Sequence, residues 1–392
     1  MKKTAIWMLA TVFVLAWGTG CGGDQGSSTS GSGSSDAPAT QTPSDVEVPE
    51  SSGKGWTFMV YIVGSDLESQ SGAGGSDLME MMQVGSTPDL NVIVCTGGAN
   101  AEGWHSVQQQ QVLAGDMALL EDYGQVDMAS QPTLTRFVTS TVQQFPAEKY
   151  GLILWNHGMG VNGFGHDENS HNDFTIPELR ATLDGIKAET GIKYEVLGFD
   201  ACLMATIEVA ANFQDHANYM VASEELEPGH GWNYTPILEI LRDNPDLGGA
   251  DLGRVITHEF LEHARKNGTD GITLSTVDMS AVGEILAAVN EMVSHPGLGQ
   301  GVDFLDLERS RGKAESYGRS VRNPERSADA VDLADLAMEL GASNPEFASV
   351  TGSVVEAIEK AVVHRVNDDT RPNARGLTIF LPYDQFTDEG SR

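Results

Sequence analysis

The sequence predicts an α/β fold with a mostly parallel sheet flanked by helices, on three observations. Short apolar runs recur at 58–63, 90–94, 151–154, 196–199, 219–222 and 376–381, each compact enough to be a strand buried on both faces. Between them, at 78–82, 133–145, 176–189 and 252–266, apolar residues fall at three- and four-residue spacing, and strands alternating with helices mark βαβ units. About 335 of the 392 residues follow the last low-complexity stretch, enough for one large α/β domain with insertions.

The chain opens with Lys2 and Lys3, an apolar stretch over 5–17, and then Gly18, Thr19, Gly20 and Cys21. A basic start, a short apolar segment and small residues read as an export signal. The run is short for a membrane span. A cysteine directly after small residues resembles a bacterial lipoprotein processing site, although Gly18 stands where such signals carry an aliphatic residue. Residues 1–20 are therefore expected to be a lipoprotein-type signal peptide, with Cys21 as the lipidated mature N-terminus. The expected location is that of an exported bacterial lipoprotein, membrane-anchored at the outer membrane or cell surface, with simple secretion as the alternative. Residues 21–54 are Gly, Ser, Thr, Pro and acidic residues with no aromatic before Trp56, a disordered tether. The folded domain is expected over 55–392.

Within that domain the 58–63 run leads into a turn, and the 151–154 run leads to Trp155, Asn156, His157 and Gly158. The 196–199 run leads to Asp200, Ala201 and Cys202, and residues 203–213 then carry helical spacing. A Pro/Gly loop over 223–234 follows the 219–222 run. Residues 331–340 and 354–363 read as two further amphipathic helices, whose apolar stripes are core faces.

Charge and cysteine content narrow the function classes. A formal charge of −33 and a pI near 4.4 argue against nucleic acid, whose phosphates demand a basic surface. Beyond Cys21 only Cys95 and Cys202 remain, too few for a disulfide framework. Cys95 ends its own strand and reads as a buried small residue, although a bridge to Cys202 is conceivable. No Gly-x-Gly-x-x-Gly phosphate motif is present, and Gly72-Ala73-Gly74-Gly75 alone is weak, so no organic cofactor is implied.

His157 and Cys202 each close a strand-like run, and in open α/β sheets chemistry collects outside the carboxyl ends of strands. Such a pair suits a cysteine nucleophile with an imidazole base. A helix starting at Cys202 would place the thiol at the positive end of a helix dipole and favour thiolate. The Gly158 and Cys202 N–H groups could stabilise a tetrahedral oxyanion. The bland alternative is a buried cysteine acting as a small hydrophobe and a structural strand-end histidine.

Four segments in order resemble the clostripain family of caspase-like cysteine peptidases: 56–67, Trp155 to Gly158, Gly198 to Met204, and Ala222 to Tyr234. The resemblance spans roughly Trp56 to Pro382. It implies a caspase-like three-layer sandwich and a cysteine endopeptidase working through a His157/Cys202 dyad on peptide or protein substrates. It also implies that Asp200 lines the pocket for the side chain before the scissile bond, favouring Arg or Lys. A rival role for Asp200 is a helix N-cap. The 223–234 loop would form the other wall, with Ser223, Glu225, Glu227, His230 and Trp232 as substrate-binding residues. His230 stands where the family often has an acidic residue, so Glu225 or Glu227 would have to compensate.

Other features depart from the family. No Lys or Arg lies between His157 and Arg180, so maturation at a basic site there is not expected. Calcium dependence occurs in the family, but nothing here resembles an EF-hand loop; calcium stays open, its ligands unknown. The cluster His166, Asp167, Glu168, His171 and Asp173 reads as a solvated turn ahead of a metal site. Ten residues follow Pro382, where relatives continue with an aromatic-containing helical segment, which bears on stability more than chemistry. No third member of a catalytic triad is identifiable. Two rivals remain: a catalytically inactive caspase-like binding lipoprotein tethered at the surface, and a cation- or metal-binding surface lipoprotein.

Overall fold

A computed structural model of the protein describes residues 49–296, 304–318 and 328–382. Cys21, the leader and the tether up to residue 48 lie outside the described residues. The described residues belong to a single compact unit, Val48–Arg392.

The strands are β1 (Trp56–Val63), β2 (Leu90–Gly97), β3 (Val107–Leu113), β4 (Asp116–Gly124), β5 (Lys149–Trp155), β6 (Phe164–Asp167), β7 (Asn172–Phe174), β8 (Tyr194–Asp200), β9 (Ala217–Ala222), β10 (Thr273–Asp278), β11 (Ser316–Tyr317), β12 (Ala330–Asp332), β13 (Val362–Asn367) and β14 (Thr378–Phe380). Nine form the central sheet in the order β13-β10-β9-β8-β5-β1-β2-β3-β4. The five middle strands, β9-β8-β5-β1-β2, run parallel. Both margins are antiparallel. Five of the expected strands are these five.

Every residue of β1 is buried, and alternation sends its side chains to opposite faces. Phe58, Val60 and Ile62 join a core with Leu78 and Met81 of the helix Ala73–Met82, Ile237 and Leu241 of Tyr234–Asp243, and Ile256 and Phe260 of Gly249–Asn267. On the other face Tyr61 lies 5.7 Å from Phe137 of Gln131–Gln144, ring to ring. That helix packs against Ile176–Thr190. Phe199 of β8 meets Phe213 of Ile207–Phe213 at 5.9 Å. The result is the three-layer α/β sandwich expected. Local chemistry ends the helices where it should: Thr175 and Glu178 form a capping box, and Gly191 closes the same helix in the left-handed region. Among the described residues no helix is long and apolar enough to cross a membrane.

Among the strands and helices the structure departs from expectation in several places. The 376–381 run does not join the main sheet; β14 pairs with β12 in a separate three-stranded sheet, β11-β12-β14. The 331–340 pattern begins as strand β12, and Asp332 then caps the helix Leu333–Ser343 by accepting from Asp335 N–H. The 354–363 pattern is the helix Ala348–Ala361 running directly into edge strand β13. The hairpin β3–β4 escapes the apolar pattern because glutamines, Gln109 and Gln111, fill two of its buried positions. Gln109 is fully buried, donating to Thr141 Oγ1 at 2.8 Å and accepting from Tyr123 OH at 2.7 Å.

Candidate active site

Parallel register brings the carboxyl ends of β1, β5 and β8 side by side. Trp155 stands opposite both Ile62 and Asp200. The next residue, Asn156, donates its N–H to Asp200 O at 3.3 Å. The turn after β5 then packs against the turn after β8. A Cβ on Gly158 would lie 2.1 Å from the Cys202 carbonyl oxygen, so only glycine permits this approach. His157 and Cys202, 45 positions apart in sequence, are thereby placed on two touching strand ends.

Cys202 does not begin a helix, contrary to expectation. Leu203 adopts a φ of 65°, and the helix starts only at Ile207, capped by Thr206 accepting from Val209 N–H at 3.0 Å. The Cys202 turn is instead stitched to the 223–227 loop. Leu203 N–H donates to Glu225 O at 3.1 Å and Ala205 N–H to Ser223 O at 2.8 Å. Cys202 Sγ receives the Glu227 N–H at 3.3 Å. Burial pushes the thiol up, against the lowering effect of that N–H, the opposite direction from the one a helix dipole would give. The helix N-cap reading of Asp200 falls with the same observation, since Thr206 is the cap. Among the described residues no hydrogen bond joins His157 to Cys202.

His157 has another partner. Its Nε2 lies 2.8 Å from Asp66 Oδ1, just beyond β1. This hydrogen bond holds the Asp66 carboxyl below the usual carboxylate range. Asn156 is buried behind the pair; its Nδ2 donates to Ser65 Oγ at 3.0 Å and to the Val63 carbonyl, and its Oδ1 accepts from His166 N–H at 2.7 Å. The Gly158 N–H donates to no protein acceptor among the described residues.

Near Asp200 lies a cluster of carboxyl groups, most of them buried. Asp200 Oδ2 accepts from Tyr234 OH at 2.8 Å and from Trp232 N–H at 3.3 Å. Asp77 Oδ2 accepts from Trp155 Nε1 at 2.7 Å, and Glu80 Oε2 from Tyr234 N–H at 2.8 Å. Both carboxylate oxygens of Glu227 are buried without a well-aligned donor, and the group faces Asp200. Burial raises all four groups: Asp200 to about 6, Glu80 modestly, and Asp77 and Glu227 well above the carboxylate range. Asp200 and Glu227 titrate as a pair, and burial raises both.

The other residues expected in the substrate loop have mixed fates. Trp232 is fully buried against Gly198, where a Cβ would meet the indole at 2.8 Å. Ser223 Oγ donates to Thr273 O at 2.7 Å. Glu225 pairs with Arg371 and accepts from Gly318 N–H at 2.9 Å. Those interactions commit Ser223 and Glu225 to holding the loop. His230 stacks on His263 with ring centroids 4.5 Å apart, and its Nδ1 lies 3.0 Å from Gly231 O. Asp66, Asn156, Asp77, Glu80 and Tyr234 were not singled out from sequence. For Asp66, the available signal was an acidic residue just past the first strand.

The 166–173 loop is an internally bonded turn. Asp167, fully buried, accepts from the N–H groups of Met128, Asn169 and Ser170 at 2.7 to 2.9 Å, and His166 pairs with Asp173 at 2.7 Å. Among the described residues no group of three or more His, Cys, Asp or Glu side chains could hold a metal ion.

Comparison with known proteins fits this geometry. The profile of the clostripain family matches residues 60–385. Clostripain from Hathewaya histolytica is 22% identical over 315 residues, 66% of this chain and 58% of the relative. The chain thus spans little more than half the length of that relative. Among solved structures, a secreted cysteine protease from Bacteroides thetaiotaomicron, bound to an irreversible peptide inhibitor, superposes with a TM-score of 0.63 at 17% identity, covering 86% of this chain and 94% of that one. An inactive protease zymogen from Parabacteroides distasonis gives a TM-score of 0.65 at 20% identity, covering 87% and 95%. At such identity these two show the fold.

Proposed function

Because this chain belongs to the clostripain family of cysteine peptidases, we propose that it is an active endopeptidase in which Cys202 is the nucleophile and His157 the acid–base group. The observation that carries this is the contact of Gly158 with the Cys202 carbonyl, which sets the two strand ends against each other. With burial raising the Cys202 thiol, His157 takes its proton as the sulfur attacks the peptide carbonyl. With Nε2 engaged by Asp66, the exchanging nitrogen is Nδ1. The carbonyl oxygen gains the electron pair beside the N–H groups of Gly158 and Cys202. Collapse of the tetrahedral species expels the amine, which takes the proton from His157, and water then hydrolyses the thioester to free acid and thiol.

The preferred residue before the scissile bond is Arg or Lys. Supporting this is a cluster of carboxyl groups, Asp77, Glu80, Asp200 and Glu227, most of them buried, beside which a cation would meet little screening. His230 at the loop apex adds no negative charge, so the preference rests on Asp200 first. Among the described residues no group of His, Cys, Asp or Glu side chains fits calcium. At its amino end the protein is a lipoprotein held to a membrane through Cys21, with 1–20 removed and 21–54 as tether, in keeping with the sequence pattern.

Cleavage of a mixed peptide library by the full chain tests the reading. Cleavage after Arg or Lys is expected, lost at least ~10³-fold in Cys202→Ala. An intact wild-type protein that cleaves nothing, with or without calcium, would put the binding-lipoprotein reading first.

A further inference from the structure

Ser65 is fully buried yet holds a φ of 48°, the left-handed region that a non-glycine residue rarely adopts. The turn is pinned from two sides. Its backbone is fastened to the strand beside it, Gly64 N–H donating to Gly97 O at 2.7 Å and Ser65 N–H to Gly98 O at 3.1 Å. Its hydroxyl accepts from Asn156 Nδ2 at 3.0 Å and donates to Asp66 Oδ1 at 3.2 Å. Asp66 Oδ1 in turn meets His157 Nε2 at 2.8 Å. Two consecutive residues of one strand end, Asn156 and His157, therefore clamp two consecutive residues of the next, Ser65 and Asp66.

Stability alone does not account for this clamp. The Asp66 and His157 side chains are 45% and 41% exposed, and ion pairs at that exposure contribute little to folding. Glycine would adopt the same φ without strain but would lose the hydroxyl that links Asn156 to Asp66. Backbone strain kept at a strand end beside reactive groups points to function.

We propose that Asp66 is a positioning residue for His157, itself aimed by Ser65 and Asn156. The carboxylate accepts the Nε2 proton, fixes the imidazole tautomer and plane, and leaves Nδ1 as the nitrogen that exchanges a proton with Cys202. The active unit is then a dyad with a positioning carboxylate from the turn just past β1, a strand that leads to neither reacting group. This inference rests on the catalytic reading of His157 and Cys202.

The test compares full-length wild type with Asp66→Asn, Asp66→Ala and Ser65→Gly on a library-selected peptide, alongside nitrogen NMR of the His157 ring. Asp66→Ala and Asp66→Asn are expected to lower kcat by about 10²- to 10⁴-fold, as loss of an orienting carboxylate does in hydrolytic triads, with KM within about 3-fold and Tm nearly unchanged. Ser65→Gly is expected to lower kcat less, about 10-fold, without loss of Tm. In the NMR spectra the Nε2–H tautomer dominates wild type, and Asp66→Ala mixes the two. Wild-type kcat in both Asp66 variants, a fall in kcat matched by a fall in Tm, or an unchanged tautomer would each overturn the proposal. The ring spectra also separate the two ideas. A wild-type chain that cleaves nothing but shows the tautomer shift loses the peptidase reading and keeps the positioning contact.

Discussion

Asp66 and Asp200 sit just past and at the carboxyl ends of two strands of one sheet, separated by the single strand that leads to His157, yet they are driven in opposite directions. Asp66 is partly exposed and bonded to an imidazole, and its carboxyl is held below the usual range. Asp200 is enclosed by Tyr234, Trp232 and Glu227 with no cation beside it, and burial lifts it to about 6. Identical side chains thus sit in opposite settings, one carboxylate stabilised by an imidazole partner and one whose proton burial holds more tightly. What separates them is desolvation, which dominates where no positive partner is present.

Replacing Asp200 gives the largest expected effect on this contrast. Asp200→Asn is expected to cost about 10²-fold in kcat/KM for peptides with Arg or Lys before the scissile bond, and less than about 5-fold for neutral residues there, since it removes a charge seen only by a cation. Equal losses for both classes, measured as kcat/KM ratios, would move specificity away from the carboxyl cluster. On the pH axis, kcat/KM for basic peptides should rise through pH 6 as Asp200 ionises, a rise that Asp200→Asn should flatten.

Folding stability should respond with the opposite sign at the two sites. A carboxyl raised in the folded state binds more protons than in the unfolded chain, so its contribution is greatest below about pH 4 and falls as pH climbs to about 6. Urea unfolding at pH 5 and pH 7 reads this directly, and Asp200→Asn should reduce the slope. Asp66, held low, contributes above its unfolded value and loses that contribution as pH falls, by an amount that exposure keeps small.

His230→Asp sharpens the contrast from the other wall. Adding a charge to the loop apex should raise the ratio of basic to neutral cleavage by about 10-fold, and an unchanged ratio would place the His230–His263 stack outside the pocket. The smallest expected effect on catalysis belongs to Cys21→Ala. It should leave kcat/KM of detergent-extracted protein within about 2-fold while moving the chain from membrane to soluble fractions. Retention in the membrane fraction would end the lipid-anchor reading.

Much of the frame was readable without coordinates. The β1, β2, β5, β8 and β9 runs are apolar because both faces of a parallel strand are covered, and such runs stand out by composition alone. Strands β3 and β10 were missed because Gln109, Gln111, Ser275 and Thr276 fill inward positions through hydrogen bonds or close packing rather than as apolar residues. The 203–213 helix was placed too early because spacing does not reveal that Leu203 takes a left-handed φ. The 376–381 run was assigned to the wrong sheet because apolar content marks a strand and not its neighbours.

The same division runs through the site. By itself the sequence determined the alternation of strands and helices, the places of His157 and Cys202 at strand ends, and the four segments shared with the clostripain family. Those are properties of neighbouring residues, and short-range periodicity carries them. Tertiary structure alone decided that Asp66 reaches His157 across 91 positions, that Glu225 is committed to Arg371 across 146, and that Asp200 is walled off from solvent. Each depends on which strands pair and in what register, and on how much water the packing excludes. Those quantities set both the partner and the protonation state of a group, and no residue's immediate sequence neighbours report them.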